Sequence, residues 1–142
     1  MEKCFRYWTD NLNETYTPLK GFSVRLKSKP IECEGYIVRE LIFQCKGVAE
    51  DYELTQFHFI NWPDLGVPGH LEPIIQMLSN VHEKMSADRN LNKNDKEQYL
   101  TIHCSAGCGR TGTIMALDQV WHMLNEHVSI IPLFLNFVTL IL

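Results

Sequence analysis

The junction within residues 99–124 constrains the fold most. A short β-prone run, Tyr99-Leu100-Thr101-Ile102, passes through a turn bearing Gly107, Gly109 and Gly112 into an apolar repeat at Ile114, Leu117, Trp121 and Leu124. A strand pattern gives way to helical spacing, so a strand must enter a glycine-rich loop that opens onto a helix N-terminus. Loop amides and the first helical amides converge at such a junction, and the helix dipole adds partial positive charge, which suits an anion. A buried strand needs sheet partners and an amphipathic helix needs a face to cover, so the junction asks for a layered α/β arrangement.

The rest of the chain supplies those partners. Residues 22–27, 36–43 and 52–60 are rich in β-branched and aromatic side chains and are separated by the turn-like pairs Lys29-Pro30 and Lys46-Gly47, which predicts a meander of neighbouring strands. Asn61-Trp62-Pro63-Asp64-Leu65-Gly66-Val67-Pro68-Gly69 places two prolines and two glycines in nine residues and reads as a hinged loop. Leu71, Ile74, Ile75, Leu78, Val81 and Met85 then recur at helical steps, the stripe of an amphipathic helix on a sheet. Residues 86–98 are polar and charged and predict a solvated loop. The expected fold is α/β, a highly twisted mixed sheet flanked by helices.

Composition narrows the function classes. At 142 residues with 45% hydrophobic content the chain has the makings of a folded domain without staples. A net charge of −4 provides no global basic field, so nucleic acid is not an expected partner and any phosphorylated ligand must be held locally. The five cysteines (Cys4, Cys33, Cys45, Cys104, Cys108) are odd in number and lack paired spacing, which predicts reduced thiols and a cytoplasmic setting. Met1-Glu2-Lys3-Cys4 does not read as a secretory leader. Residues 128–142 are apolar apart from Ser129, Pro132, Asn136 and Thr139, yet shorter than the roughly 20 residues a spanning helix needs, so a buried element is expected rather than a membrane segment. His58, His70, His82, His122 and His127 show no ligand spacing, and neither metal nor cofactor is expected.

The chemistry concentrates in residues 103–112. Cys104 and Arg110 bracket Ser105, Ala106, Gly107, Cys108 and Gly109, side chains small enough for the backbone to curl and aim its N–H groups inward. A bulky side chain at 106, 107 or 109 is expected to obstruct that curl or its ligand. Arg110 offers a permanently charged planar fork for two phosphoryl oxygens. A cysteine beneath those amides should ionise within the ~3.5–7.5 range of activated thiols. Cys4, Cys33 and Cys45 read as small buried hydrophobes. Cys108 reads as a small filler, or as a second thiol able to condense with oxidised Cys104.

His103 to Gly112 resembles the protein tyrosine phosphatase signature, His-Cys-x5-Arg-Ser/Thr-Gly. Trp62-Pro63-Asp64 with Leu65-Gly66-Val67-Pro68 is similar to that family's mobile lid, and Lys3-Cys4 followed by Tyr7-Trp8 to its upstream Lys-Cys-x-x-Tyr-Trp segment. Gln56-Phe57-His58-Phe59 and Cys108 resemble the non-receptor PEST-type subgroup. The resemblance implies hydrolysis of phosphotyrosine-containing proteins through a phosphocysteine. Cys104 is then the nucleophile, and Arg110 with the amides of Ser105, Ala106, Gly107, Cys108 and Gly109 the phosphate clamp. Asp64 is the general acid and then base, Thr111 a hydrogen-bond donor to the sulfur, and His103 the residue that orients the loop and helps keep the thiol ionised. The resemblance covers roughly residues 1–127, with 128–142 a divergent apolar tail, and implies a catalytic domain incomplete at both ends. An active phosphatase and a low-activity or inactive fragment that binds phosphorylated ligands are the two readings. A dual-specificity or lipid phosphatase fits Cys104 and Arg110 but not Trp62-Pro63-Asp64.

Overall fold

The structure, a computed structural model, describes residues 4–63, 66–91, 99–126 and 139–141. Its strands are β1 (Tyr16–Leu19), β2 (Phe22–Leu26), β3 (Ile31–Cys33), β4 (Tyr36–Cys45), β5 (Tyr52–Phe59), β6 (Ile102–His103) and β7 (Thr139–Ile141), with helices α1 (Glu72–Leu91) and α2 (Gly109–Glu126). The seven strands form one sheet in the order β1-β2-β4-β5-β7-β6, with β3 also paired to β4. Antiparallel β2, β4 and β5 are the expected meander, and β7 runs parallel to both β5 and β6, which makes the sheet mixed. Of the apolar stretch after residue 127, Thr139–Ile141 form β7 and residues 128–138 and 142 lie outside the described residues.

Alternation along β4 and β5 sorts the side chains onto two faces. Tyr36, Phe57 and Phe59 face Ile74, Met77, Leu78 and Val81 of α1 and Ile114 of α2, one buried cluster. On the other face Leu41 joins Val24, Leu26 and Trp8, with Tyr7, Phe43 and Leu54 packed alongside. The segment carrying Tyr7 and Trp8 thus covers the face the helices leave. At the β3–β4 turn Gly35 has φ +81°, and a Cβ there would stand 3.0 Å from Pro73, so glycine lets the hairpin approach the start of α1.

Several sequence expectations are corrected. Strands β1 and β3 lie outside the predicted runs because each is short and half-exposed, without a sustained apolar alternation. Helix α1 does not stop at Met85. It continues to Leu91 through residues that include no glycine or proline, supported by a Lys84–Asp88 pair at 3.3 Å one turn apart, so only residues 92–98 of the expected loop remain, outside the described residues. Its buried stripe uses Met77, while Leu71 and Ile75 (49% exposed) face solvent. In α2 only Ile114 of the predicted stripe is fully buried, and Leu124 is 74% exposed. The strand expected over 99–102 is shifted to Ile102–His103, with Tyr99 turned outward. Among the described residues no helix is long and apolar enough to cross a membrane.

Candidate active site

Strand β6 ends at His103 and helix α2 begins at Gly109, so residues 104–108 form the connecting loop. The Gly112 N–H donates to the Cys108 carbonyl at 2.7 Å, the bond that opens the helix. Gly107 adopts φ +70°, a conformation glycine takes readily, and its N–H donates to the Cys104 sulfur at 3.2 Å. The Thr111 hydroxyl donates to the same sulfur at 3.1 Å from the first turn of the helix. Burial pushes the Cys104 thiol up. The Thr111 hydroxyl and the amides of Thr111, Ala106 and Gly107 outweigh it and bring the thiol down to about 7. A substantial thiolate fraction therefore exists at neutral pH.

The loop from Ser105 to Gly109 is open to solvent. A Cβ placed on Gly107, Gly109 or Gly112 would meet nothing within 4 Å. Crowding is therefore not what calls for glycine at 109; the conformational demand falls on Gly107, and the open side leaves room for a ligand. Cys108 is exposed and donates its thiol to the Ala106 carbonyl at 3.4 Å, so it is not a buried filler.

Arg110 joins this junction to the loop of residues 61–69. Its Nη2 donates to the Pro63 carbonyl at 3.2 Å, and its guanidinium stands 6.0 Å from the centre of the Trp62 ring. Trp62 packs edge-on against Phe59 and donates Nε1 to the Gly66 carbonyl at 3.3 Å. Asp64 follows Pro63 directly but lies outside the described residues, as do Glu2 and Lys3.

A sequence profile described as protein-tyrosine phosphatase matches residues 1–139. The chain belongs to the protein-tyrosine phosphatase family. It is 35% identical over 119 residues to human receptor-type tyrosine-protein phosphatase alpha, covering 84% of this chain and 14% of that protein. Human tyrosine-protein phosphatase non-receptor type 12 is 34% identical over 131 residues, covering 87% of this chain and 14% of that protein. Human receptor-type tyrosine-protein phosphatase-like N is 31% identical over 129 residues, covering 91% of this chain and 12% of that protein. This phosphatase-family chain thus spans about a seventh or less of the length of these relatives, and receptor and non-receptor relatives match it equally well.

Behind the phosphatase loop lies a polar network that the sequence reading missed. His103 Nε2 and Tyr7 Oη are 3.0 Å apart. Burial lowers the His103 pKa below its ordinary value, so the ring is mainly neutral at pH 7. Arg39 is 3% exposed and contacts Asp10, Gln56 and His58 at 2.6, 2.9 and 3.2 Å. Burial, then the neighbouring Arg39 charge, holds His58 down at about 4. Burial likewise pushes Tyr7 up to about 12 against the Gln56 amide and the Arg39 charge. The sequence did carry a signal for Arg39: it shares strand parity with Leu41, so the alternation puts a cation on a core-facing row. An apolar pocket of about 330 Å³ also lies on this side, lined by Phe5, Leu19, Phe22 and His103 among others, but not by Cys104 or Arg110. The open loop of Cys104 and Arg110 is therefore separate from that pocket.

Proposed function

We propose that the chain hydrolyses phosphotyrosine in proteins through a phosphocysteine at Cys104. The observation that carries this reading is the Cys104 sulfur, held by the Gly107 amide and the Thr111 hydroxyl at a helix N-terminus with its thiol near neutrality. In the first step the Cys104 thiolate attacks phosphorus, the bond from phosphorus to the tyrosine oxygen breaks, and Asp64 gives its proton to the departing phenolate. Arg110 and the amides of residues 105–110 hold the phosphoryl oxygens as charge builds on them. In the second step Asp64 takes a proton from water as the water attacks phosphorus. The phosphorus–sulfur bond breaks, inorganic phosphate forms, and the Thr111 hydroxyl supports the returning thiolate. His103 orients the loop. The exposed loop and the reduced cysteines support a cytoplasmic role in dephosphorylating signalling proteins. Gln56-Phe57-His58-Phe59 and Cys108 support placement in the non-receptor PEST-type subgroup.

The test is hydrolysis of a phosphotyrosine peptide by the wild-type, Cys104→Ser and Asp64→Asn proteins. Cys104→Ser is expected to abolish turnover while inorganic phosphate still protects the fold against heat. Asp64→Asn is expected to slow the first step by about 10²–10⁴. Turnover by Cys104→Ser at the wild-type rate would overturn the covalent route.

A further inference from the structure

Strand β6 is only two residues long, Ile102–His103, and it leads directly into Cys104. Among the described residues its one strand partner is β7, with Ile102 opposite Leu140 and His103 opposite Ile141. The other edge of β7 pairs with β5, where Phe57 stands opposite Leu140 and His58 opposite Ile141. Leu140 therefore lies between Phe57 and Ile102, and Ile141 between His58 and His103. Neighbouring strands run about 4.8 Å apart, so β5 and β6 are separated by roughly 10 Å and cannot bond to each other directly. Residues 139–141 fill a slot one strand wide.

The connectivity puts this slot behind the Cys104 loop. Strand β6, helix α2 and strand β7 follow one another and β7 runs parallel to β6, a strand–helix–strand crossover with residues 104–108 at its first junction. The loop hangs between two anchors. Helix α2, after it, is 18 residues long and buries Ile114 in the core. Strand β6, before it, is too short to hold its own direction and takes that direction from its partner. Ile102 and Cys104 also pack against the helical cluster, but apolar contact is non-directional and does not fix a backbone register. The Gly107 N–H and the Thr111 hydroxyl reach Cys104 Sγ at 3.2 and 3.1 Å, distances that persist only while the sulfur stays where β6 places it.

We propose that Thr139, Leu140 and Ile141 of the apolar tail are positioning residues for Cys104: by filling the slot between β5 and β6 they hold the β6 backbone, and with it the sulfur, against the Gly107 N–H and the Thr111 hydroxyl. This part of the tail then belongs to the catalytic unit rather than to an appendage. The consequence for turnover rests on the reading of Cys104 as nucleophile; the pairing and its effect on the thiol do not. With the slot empty, β5 and β6 present facing edges of unpaired N–H and C=O groups, and nothing holds β6 in register with the sheet.

Two measurements test this. In the ¹³C,¹⁵N-labelled full chain, backbone NOEs are expected from residues 140 and 141 to both 57–58 and 102–103, and NOEs joining β5 directly to β6 would overturn the proposal. The second is alkylation of Cys104 by iodoacetamide, followed on its own peptide as pH is varied. A chain ending at residue 138 loses the strand, and Leu140→Pro loses a ladder donor. In either the alkylation midpoint is expected to rise by about one pH unit and the rate at pH 6 to fall about tenfold, since a higher midpoint depletes the thiolate. Leu140→Val keeps every backbone bond and is expected to restore the wild-type midpoint. Amides bonded between β4 and β5 should stay protected from hydrogen exchange in all three, which separates lost positioning from unfolding. A wild-type midpoint in the folded shortened chain or in folded Leu140→Pro would overturn the proposal. Should both fail to fold, the NOEs of the full chain decide it. Neither measurement uses turnover, so an inactive protein with these pairings and this shift would count against the proposed function alone.

Discussion

At Cys104 the decisive comparison is between burial, which keeps a thiol neutral, and hydrogen bonds, which favour the thiolate. The hydrogen bonds win, with the Thr111 hydroxyl the largest of them, and the thiol sits near 7 rather than 9. Thr111→Ala removes that hydroxyl and leaves the amides in place. The midpoint of Cys104 alkylation by iodoacetamide should then rise by about one pH unit, with the rate at pH 6 falling about tenfold. The sign follows because thiolate exists above the midpoint, so a higher midpoint depletes the nucleophile on the acid side. An unchanged midpoint would mean that the amides alone stabilise the sulfur. Gly107 belongs to the same balance, since its N–H donates to the sulfur at 3.2 Å.

Helix α1 shows how an element's face is decided. The spacing of Ile74, Ile75 and Leu78 is equally helical, yet Leu78 is buried against the sheet and Ile75 is exposed, because the stripe passes through Met77 and Val81. Leu78→Ala should therefore lower stability by about 2–5 kcal/mol in urea unfolding, and Ile75→Ala by well under 1 kcal/mol. Similar losses would contradict the packing. The strand–loop–helix junction was legible in the sequence because its signals are local: a β run, three glycines and a helical repeat within 26 residues. The pairing of Arg39 with Gln56 and that of Tyr7 with His103 were not, because they depend on the β4–β5 register and on an N-terminal segment lying across the sheet near β6. The extension of α1 past Met85 was missed because Ser86, Asp88 and Arg89 look like loop residues, whereas here they continue a helix already nucleated upstream.

Across the whole molecule the sheet separates two tasks. One face carries the helices and most of the apolar core, and the other carries Tyr7, Trp8, Arg39, Gln56 and His58. Successive residues of the β6 end serve both sides: Ile102 and Cys104 pack with the helical face, and His103 turns to Tyr7. His82 of α1 and Asp118 of α2 approach to 2.8 Å where the two helices meet, and His82 stacks 6.1 Å from the Trp121 ring. With a net charge of −4, the proposed binding of a phosphoryl group rests on the local amides, the helix terminus and Arg110. The central claim is that phosphorus passes through the Cys104 sulfur. Acid quench of the protein during turnover of an aryl phosphate, followed by peptide mass spectrometry, tests it. The phosphoryl increment should sit on the peptide containing Cys104, accumulate further in Asp64→Asn with a substrate whose leaving group needs no proton, and be absent in Cys104→Ser. Turnover with no phosphoryl group on Cys104 at any quench time, or with the group on another residue, would contradict the account.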